Sequence, residues 1–185
     1  NDGGYDTDFP DAITRTGFVT NHHIAFSGGT DEQNYRASIG VMDHNTVLKN
    51  NSYSNFAAKV DLMQKAFDDH LTIDLGVFGS SQSNKNIFDV QKLFYSAATQ
   101  NPTFPDHINS SGGWDRNTTA SQITPPNALQ ADKNDNRNQN FGSHLRLTAD
   151  LGYGLTAQAF GAYTYNSNEN AQFAPTWVWA QGQAW

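Results

Sequence analysis

Apolar and polar positions alternate with a period of two along most of the chain. The alternation predicts six strands in three hairpins, near 17–28, 33–43, 54–65, 70–81, 140–151 and 155–166. In the first hairpin Phe18, Thr20, His22, Ile24 and Phe26 share a face, and the chain returns with Tyr35, Ala37, Ile39 and Val41. In the second, Phe56, Ala58, Val60 and Leu62 alternate with Asn55, Lys59 and Asp61, and Leu71, Ile73, Leu75 and Val77 alternate with Thr72, Asp74 and Gly76. The third sets Phe141, Leu145, Leu147 and Leu151 against His144, Arg146, Thr148 and Asp150, then Leu155, Ala157, Ala159, Tyr163 and Tyr165 against Thr156, Gln158 and Thr164.

The connections fall into two kinds. "SGGTDEQN", "AFDDH" and "LGYG" are short, whereas "DHNTVLKNNSYS" and the segment 83–139 are long. Short turns on one rim and long loops on the other describe an outer-membrane barrel. Phe18 and Phe26 bracket a strand and, with the usual rise and a tilt near 40°, lie roughly 20 Å apart along the membrane normal. Both then sit near the edges of an apolar band about 25 Å tall, and Tyr163 and Tyr165 fit its outer girdle. The alternative is a soluble β-sandwich carbohydrate-binding module, whose core would cover the same face.

The long segment is not all loop. Ile87, Val90, Leu93, Phe94 and Ala97 follow helical spacing, with Asn86 as the candidate cap and Pro102 beyond the end, so a short amphipathic helix is expected. "TFPDHINSSGGWDRNTTASQITPPNAL" is rich in Pro, Gly, Ser and Thr and reads as irregular backbone. Such backbone cannot face lipid with its amides unpaired.

Composition narrows the function. Hydrophobic residues make up 37% of the 185 and charged residues only 16%, with a mean hydropathy of −0.65. The chain is thus polar without being highly charged, unlike a typical disordered sequence. It lacks cysteine, which excludes disulfides and thiolate metal sites. A net charge of −7 with no basic run argues against nucleic acid as a partner. The opening "NDGGYDTDFP" has no signal-peptide pattern, and no apolar run approaches the roughly 20 residues of a membrane helix, though a barrel wall would show none. The ending "WVWAQGQAW" suggests a segment of a longer protein.

Candidate chemistry is sparse. His22 and His23 are adjacent, so on a strand they point to opposite faces and cannot chelate one ion. "DKNDNRN" begins like a calcium loop, but Arg137 stands where a Gly is needed and Ser143 where a bidentate Glu is needed. No metal, cofactor or catalytic residue is assigned. GxSxG, phosphate-loop and HExxH motifs are absent, and Asp61 with Asp74 makes no convincing acid pair for a glycoside hydrolase. Lys59, Asp61, Asp74, Arg146 and Asp150 are instead expected to line the lumen. Phe94 and Tyr95 on the helix, with Trp114, Trp177 and Trp179 in loops, are the candidates for stacking on substrate or anchoring a partner.

"TGFVTNHHIAFSGGTDEQNYRASIGV" and "NPTFPD", supported by "ASQITPPNALQ" and "FAPTWVWAQGQAW", resemble the barrel of SusC/RagA-type TonB-dependent transporters of Bacteroidetes. The resemblance covers nearly the whole chain from about Phe9. It implies a transmembrane β-barrel of about 22 strands around a plug. It further implies energy delivered through TonB, a SusD-like surface lipoprotein as partner, and a glycan or peptide as cargo. Six strands are a part of such a wall, and plug and TonB box are not represented. The long second loop with its helix would form part of the extracellular face.

Overall fold

The computed structural model describes residues 2–87, 89–107, 110, 126 and 133–173. A short helix α1 (Phe9–Ile13) precedes β1 (Phe18–Gly29), β2 (Gln33–Asn45), β3 (Ser52–Ala66) and β4 (Leu71–Asn86). Helix α2 (Val90–Thr99) follows, then β5 (Lys133–Gly152) and β6 (Leu155–Phe173). The strands form one antiparallel sheet in chain order, β1 to β6, so every strand pairs with its neighbour in sequence. Among the described residues no helix is long and apolar enough to cross a membrane, which says nothing of crossing by strands.

The strands run well past the ends expected from alternation. β4 continues to Asn86, β5 starts at Lys133 and β6 continues to Phe173, so the segment 83–139 is partly strand. The 20 residues of β5 span about 65 Å, against about five or six residues for an ordinary strand. Alternation of hydropathy ends where the outward face becomes mostly polar, but the backbone ladder needs no apolar side chain and goes on.

Turn chemistry fixes the short rim. Tyr153 and Gly154 form a two-residue loop with φ of 53° and 78°, the left-handed pair a tight hairpin turn requires. Phe67, Asp68 and Asp69 are also left-handed, at 56°, 52° and 67°, and the His70 amide donates to the Phe67 carbonyl at 3.1 Å. The Lys65 ammonium lies 3.7 Å from Asp69 across this turn.

The sheet does not enclose a core of its own. Phe18, Ile24 and Phe26 are 64%, 60% and 67% exposed, and Ile39, Val60, Leu62 and Leu145 on the same face are exposed too. A continuous apolar face of this extent marks a surface made for lipid or for a partner.

The buried apolar cluster of the described residues lies instead at the long-loop rim. Phe9 and Ile13 of α1, Leu48 of the β2–β3 connection, Ile87, and Leu93 and Ala97 of α2 form it, with Val90 and Phe104 against it. Polar ties hold these pieces together. The Lys49 ammonium donates to the Ala12 carbonyl at 2.6 Å, and Arg15 donates to the carbonyls of Thr46 at 3.0 Å and Asn51 at 2.9 Å. The Thr7 hydroxyl donates to the Phe104 carbonyl at 2.7 Å and its amide to the Pro102 carbonyl at 2.9 Å.

The expected helix is present, but Asn86 does not cap it. Asp89 does, accepting from the Lys92 amide at 2.8 Å, because Asn86 is still paired in β4. Ile87 precedes the helix and still reaches the same cluster. Most of the stretch expected to be irregular, from 103 to 129, lies outside the described residues.

Candidate functional site

The face opposite the apolar one carries the chemistry, and strand register sorts it into rows. Directly paired residues of neighbouring antiparallel strands share a face. Near the short turns, one row is Asn34–Met63–Asp74–Arg146–Phe160 and the next is Arg36–Asp61–Gly76–His144–Ala162. The third is Ser38–Lys59–Phe78–Gly142–Thr164. These rows hold the charges. The Lys59 ammonium lies 2.9 Å from the Asp61 carboxylate, both well exposed. Arg146 places its guanidinium 5.7 Å from the centroid of Phe160 and makes no ion pair with Asp74 within 4 Å.

Glycines opposite rings give these rows their relief. A Cβ on Gly76 would collide with the His144 imidazole, and one on Gly142 with the Phe78 ring. Gly76 and His144 are direct partners on β4 and β5, as are Phe78 and Gly142, so each ring occupies the space that a side chain on the opposite glycine would need. The His144 and Phe160 rings are 6.4 Å apart.

Toward the long-loop rim the same face changes character. Its rows are Ser80–Asn140–Asn166, Gln82–Asn138–Asn168, Asn84–Asn136–Asn170 and Asn86–Asn134–Gln172. None of these residues is charged. Asn136 donates to the Asn168 carboxamide at 3.3 Å and Asn140 to the Ser80 hydroxyl at 3.3 Å. Each carboxamide offers two donors and an acceptor, so the wall presents both kinds of partner throughout. On the reverse face at the same height stand Lys85, Lys133, Asp135, Arg137 and Glu169. The sheet above its apolar band therefore carries amides on one side and charge on the other.

The residues singled out from sequence fall as follows. Lys59, Asp61, Asp74 and Arg146 all lie on the polar face. Asp150 lies at the end of β5, where its carboxylate accepts from the Gly152 amide at 2.9 Å and shapes the turn. Phe94 and Tyr95 are exposed on α2. Trp114, Trp177 and Trp179 lie outside the described residues. The calcium-like "DKNDNRN" is largely β5, with Asn134 and Asn136 in the amide wall, and an extended strand does not wrap a cation. Among the described residues no group of three or more His, Asp or Glu converges. The amide wall itself is invisible to hydropathy, yet its signal is present in "KNDNRNQN" and "NSNENAQ", where every second residue is an amide.

Comparison with known proteins agrees with this geometry. The chain is 30% identical over 203 residues to the TonB-dependent receptor SusC of Bacteroides thetaiotaomicron, covering 90% of this chain and 20% of that protein. A solved structure of the RagAB peptide importer in its "closed-closed" state superposes with a TM-score of 0.64 at 16% identity, over 91% of this chain and 20% of that one. Over nine-tenths of its length the chain is similar in sequence to SusC and in fold to a stretch of the RagAB importer. No family model matches it. It spans about a fifth of the length of the SusC and RagAB chains that it matches. By name these relatives are a receptor and a peptide importer. The described part of the sheet is not closed: among the described residues β1 and β6 each present an edge with no strand beside it.

Proposed function

We propose that the chain forms part of the wall of an outer-membrane, TonB-dependent importer of glycans. In this reading the apolar face meets lipid and the polar face meets the lumen. The short turns are periplasmic, and the rim built by α1, α2 and the β2–β3 connection is extracellular. Phe94 and Tyr95, with Trp114, Trp177 and Trp179, are the aromatic candidates for contact with substrate or with a SusD-like lipoprotein over that rim. TonB acts through a part of the protein outside this chain.

The amide wall carries the choice of cargo. A sugar hydroxyl both donates and accepts, and a carboxamide answers it with both. A peptide brings charged termini and side chains, which would be desolvated at a mouth without countercharges, at a cost that neutral hydroxyls do not incur. The charged rows lie deeper, toward the short turns, where Lys59, Asp61, Asp74 and Arg146 would meet the plug or cargo already committed to passage.

Uptake by cells expressing the full-length receptor tests this. With Asn136→Leu and Asn138→Leu combined, import of a neutral oligosaccharide should fall about tenfold while the receptor keeps its level in the outer membrane. Loss of peptide import instead, with oligosaccharide import intact, would sink the glycan reading.

A further inference from the structure

We propose that the outward face just above the apolar band holds a binding site for the phosphates of an anionic outer-leaflet glycolipid. The proposal rests on the barrel orientation given above. A depression of about 280 Å³ opens there, lined by Arg15, Asn45, Asn50, Ser52, Lys85, Lys133 and Asp135.

Register fixes which side it faces. Ser52, Lys85 and Asp135 are direct partners across β3, β4 and β5. They lie an even number of residues from Phe56, Val77 and Phe141, so they share the apolar face and not the amide wall. Phe56, Phe141, Tyr163 and Tyr165 form an aromatic girdle on that face, with the Phe141 and Tyr163 rings 6.4 Å apart. Lys85 lies four residues beyond Ser81, the partner of Phe56. At the usual rise and a tilt near 40°, that is about 10 Å above the girdle. A lysine stem reaches back toward the headgroups from such a height, as snorkelling side chains do.

Charge balance specifies an anion. Three cations stand against the single carboxylate of Asp135, which leaves two positive charges. Lys85 and Asp135 face each other, yet among the described residues neither Lys85 nor Lys133 makes an ion pair within 4 Å. Arg15 is held by the carbonyls of Thr46 and Asn51, which orient its guanidinium without cancelling its charge. The Ser52 hydroxyl adds a neutral donor. Two ammonium groups without a carboxylate partner, beside a guanidinium held by carbonyls, suit a phosphate, and the girdle below suits the acyl chains that carry it.

Native mass spectrometry of the full-length receptor in detergent tests the site. The probes are bisphosphorylated lipid A, the same lipid without its phosphates, and inorganic phosphate. Lys85→Gln and Lys133→Gln should each weaken retention of the phosphorylated lipid about fivefold, and Asp135→Asn should strengthen it. A gain from Asp135→Asn cannot come from misfolding. Equal retention of the dephosphorylated lipid, unchanged retention in the double lysine variant, or equally tight binding of inorganic phosphate would each overturn the proposal. Absence of the receptor from the outer-membrane fraction would instead overturn the orientation on which it rests.

Discussion

Arg146 and Phe160 are direct partners on β5 and β6, and the guanidinium lies over the ring at 5.7 Å although Asp74 stands opposite Arg146 on β4. The ring holds the cation where a carboxylate is equally placed to do so. An exposed contact of this kind contributes about 0.5–1 kcal/mol. Phe160→Leu retains apolar area and removes the quadrupole, so it should lower the unfolding free energy of the full-length receptor by about that amount. If Phe160→Leu is neutral while Phe160→Ala is not, area and not charge explains the contact.

Val60 and Asp61 are adjacent on β3 and face opposite ways. The proposed orientation puts Val60 toward lipid near mid-height, and on it Val60→Arg should cost about 2–4 kcal/mol in the folding of the full-length receptor into bilayers, and Asp61→Asn much less. Equal effects from the two substitutions would reverse or remove the assigned orientation.

Gly76 has no room for a side chain beneath the His144 ring. Gly76→Ala should destabilise by about 1–3 kcal/mol, as overpacking does, and His144→Ala in the same chain should recover most of it. A double-mutant cycle with no coupling would show that the ring moves away freely.

Leu93 is fully buried in the rim cluster, on which α1, α2 and the β2–β3 connection converge. Leu93→Ala should cost about 2–3 kcal/mol, near the lower end for buried leucines because the cluster is small. The loss should be local. Amide exchange should quicken in residues 89–104 and near Phe9 while the centres of β3 and β4 stay protected; uniform loss of protection would instead tie the rim to the whole wall.

The six strands were legible in the sequence because one face of each is apolar through the middle of the sheet, which imposes a period of two on hydropathy. Phe18 to Phe26, Val60 with Leu62, and Leu145 with Leu147 are examples. The same alternation separates Lys59, Asp61, Asp74 and Arg146 onto the other face. The tight turn at Tyr153 and Gly154 and the helix carrying Leu93 and Ala97 were legible too, through glycine chemistry and helical spacing. The helix cap was not, since Asn86 and Asp89 are both good caps and only the continued pairing of β4 removes the first from use.

Local sequence by itself determined the antiparallel meander, its short and long rims and the face each central residue takes, because side-chain direction on a strand is set by the backbone alone. Only the tertiary structure decided how far the strands run and what meets across them. Beyond Ser81, Gln139 and Ser167 the outward face keeps only Ala171 and Phe173 as apolar positions, so hydropathy loses its period while backbone pairing continues. The amide rows from Asn140 to Asn134, the site around Lys85 and Lys133, and the burial of Leu48 against Phe9 depend on register between distant segments. That information belongs to the pairing of strands and not to any one of them.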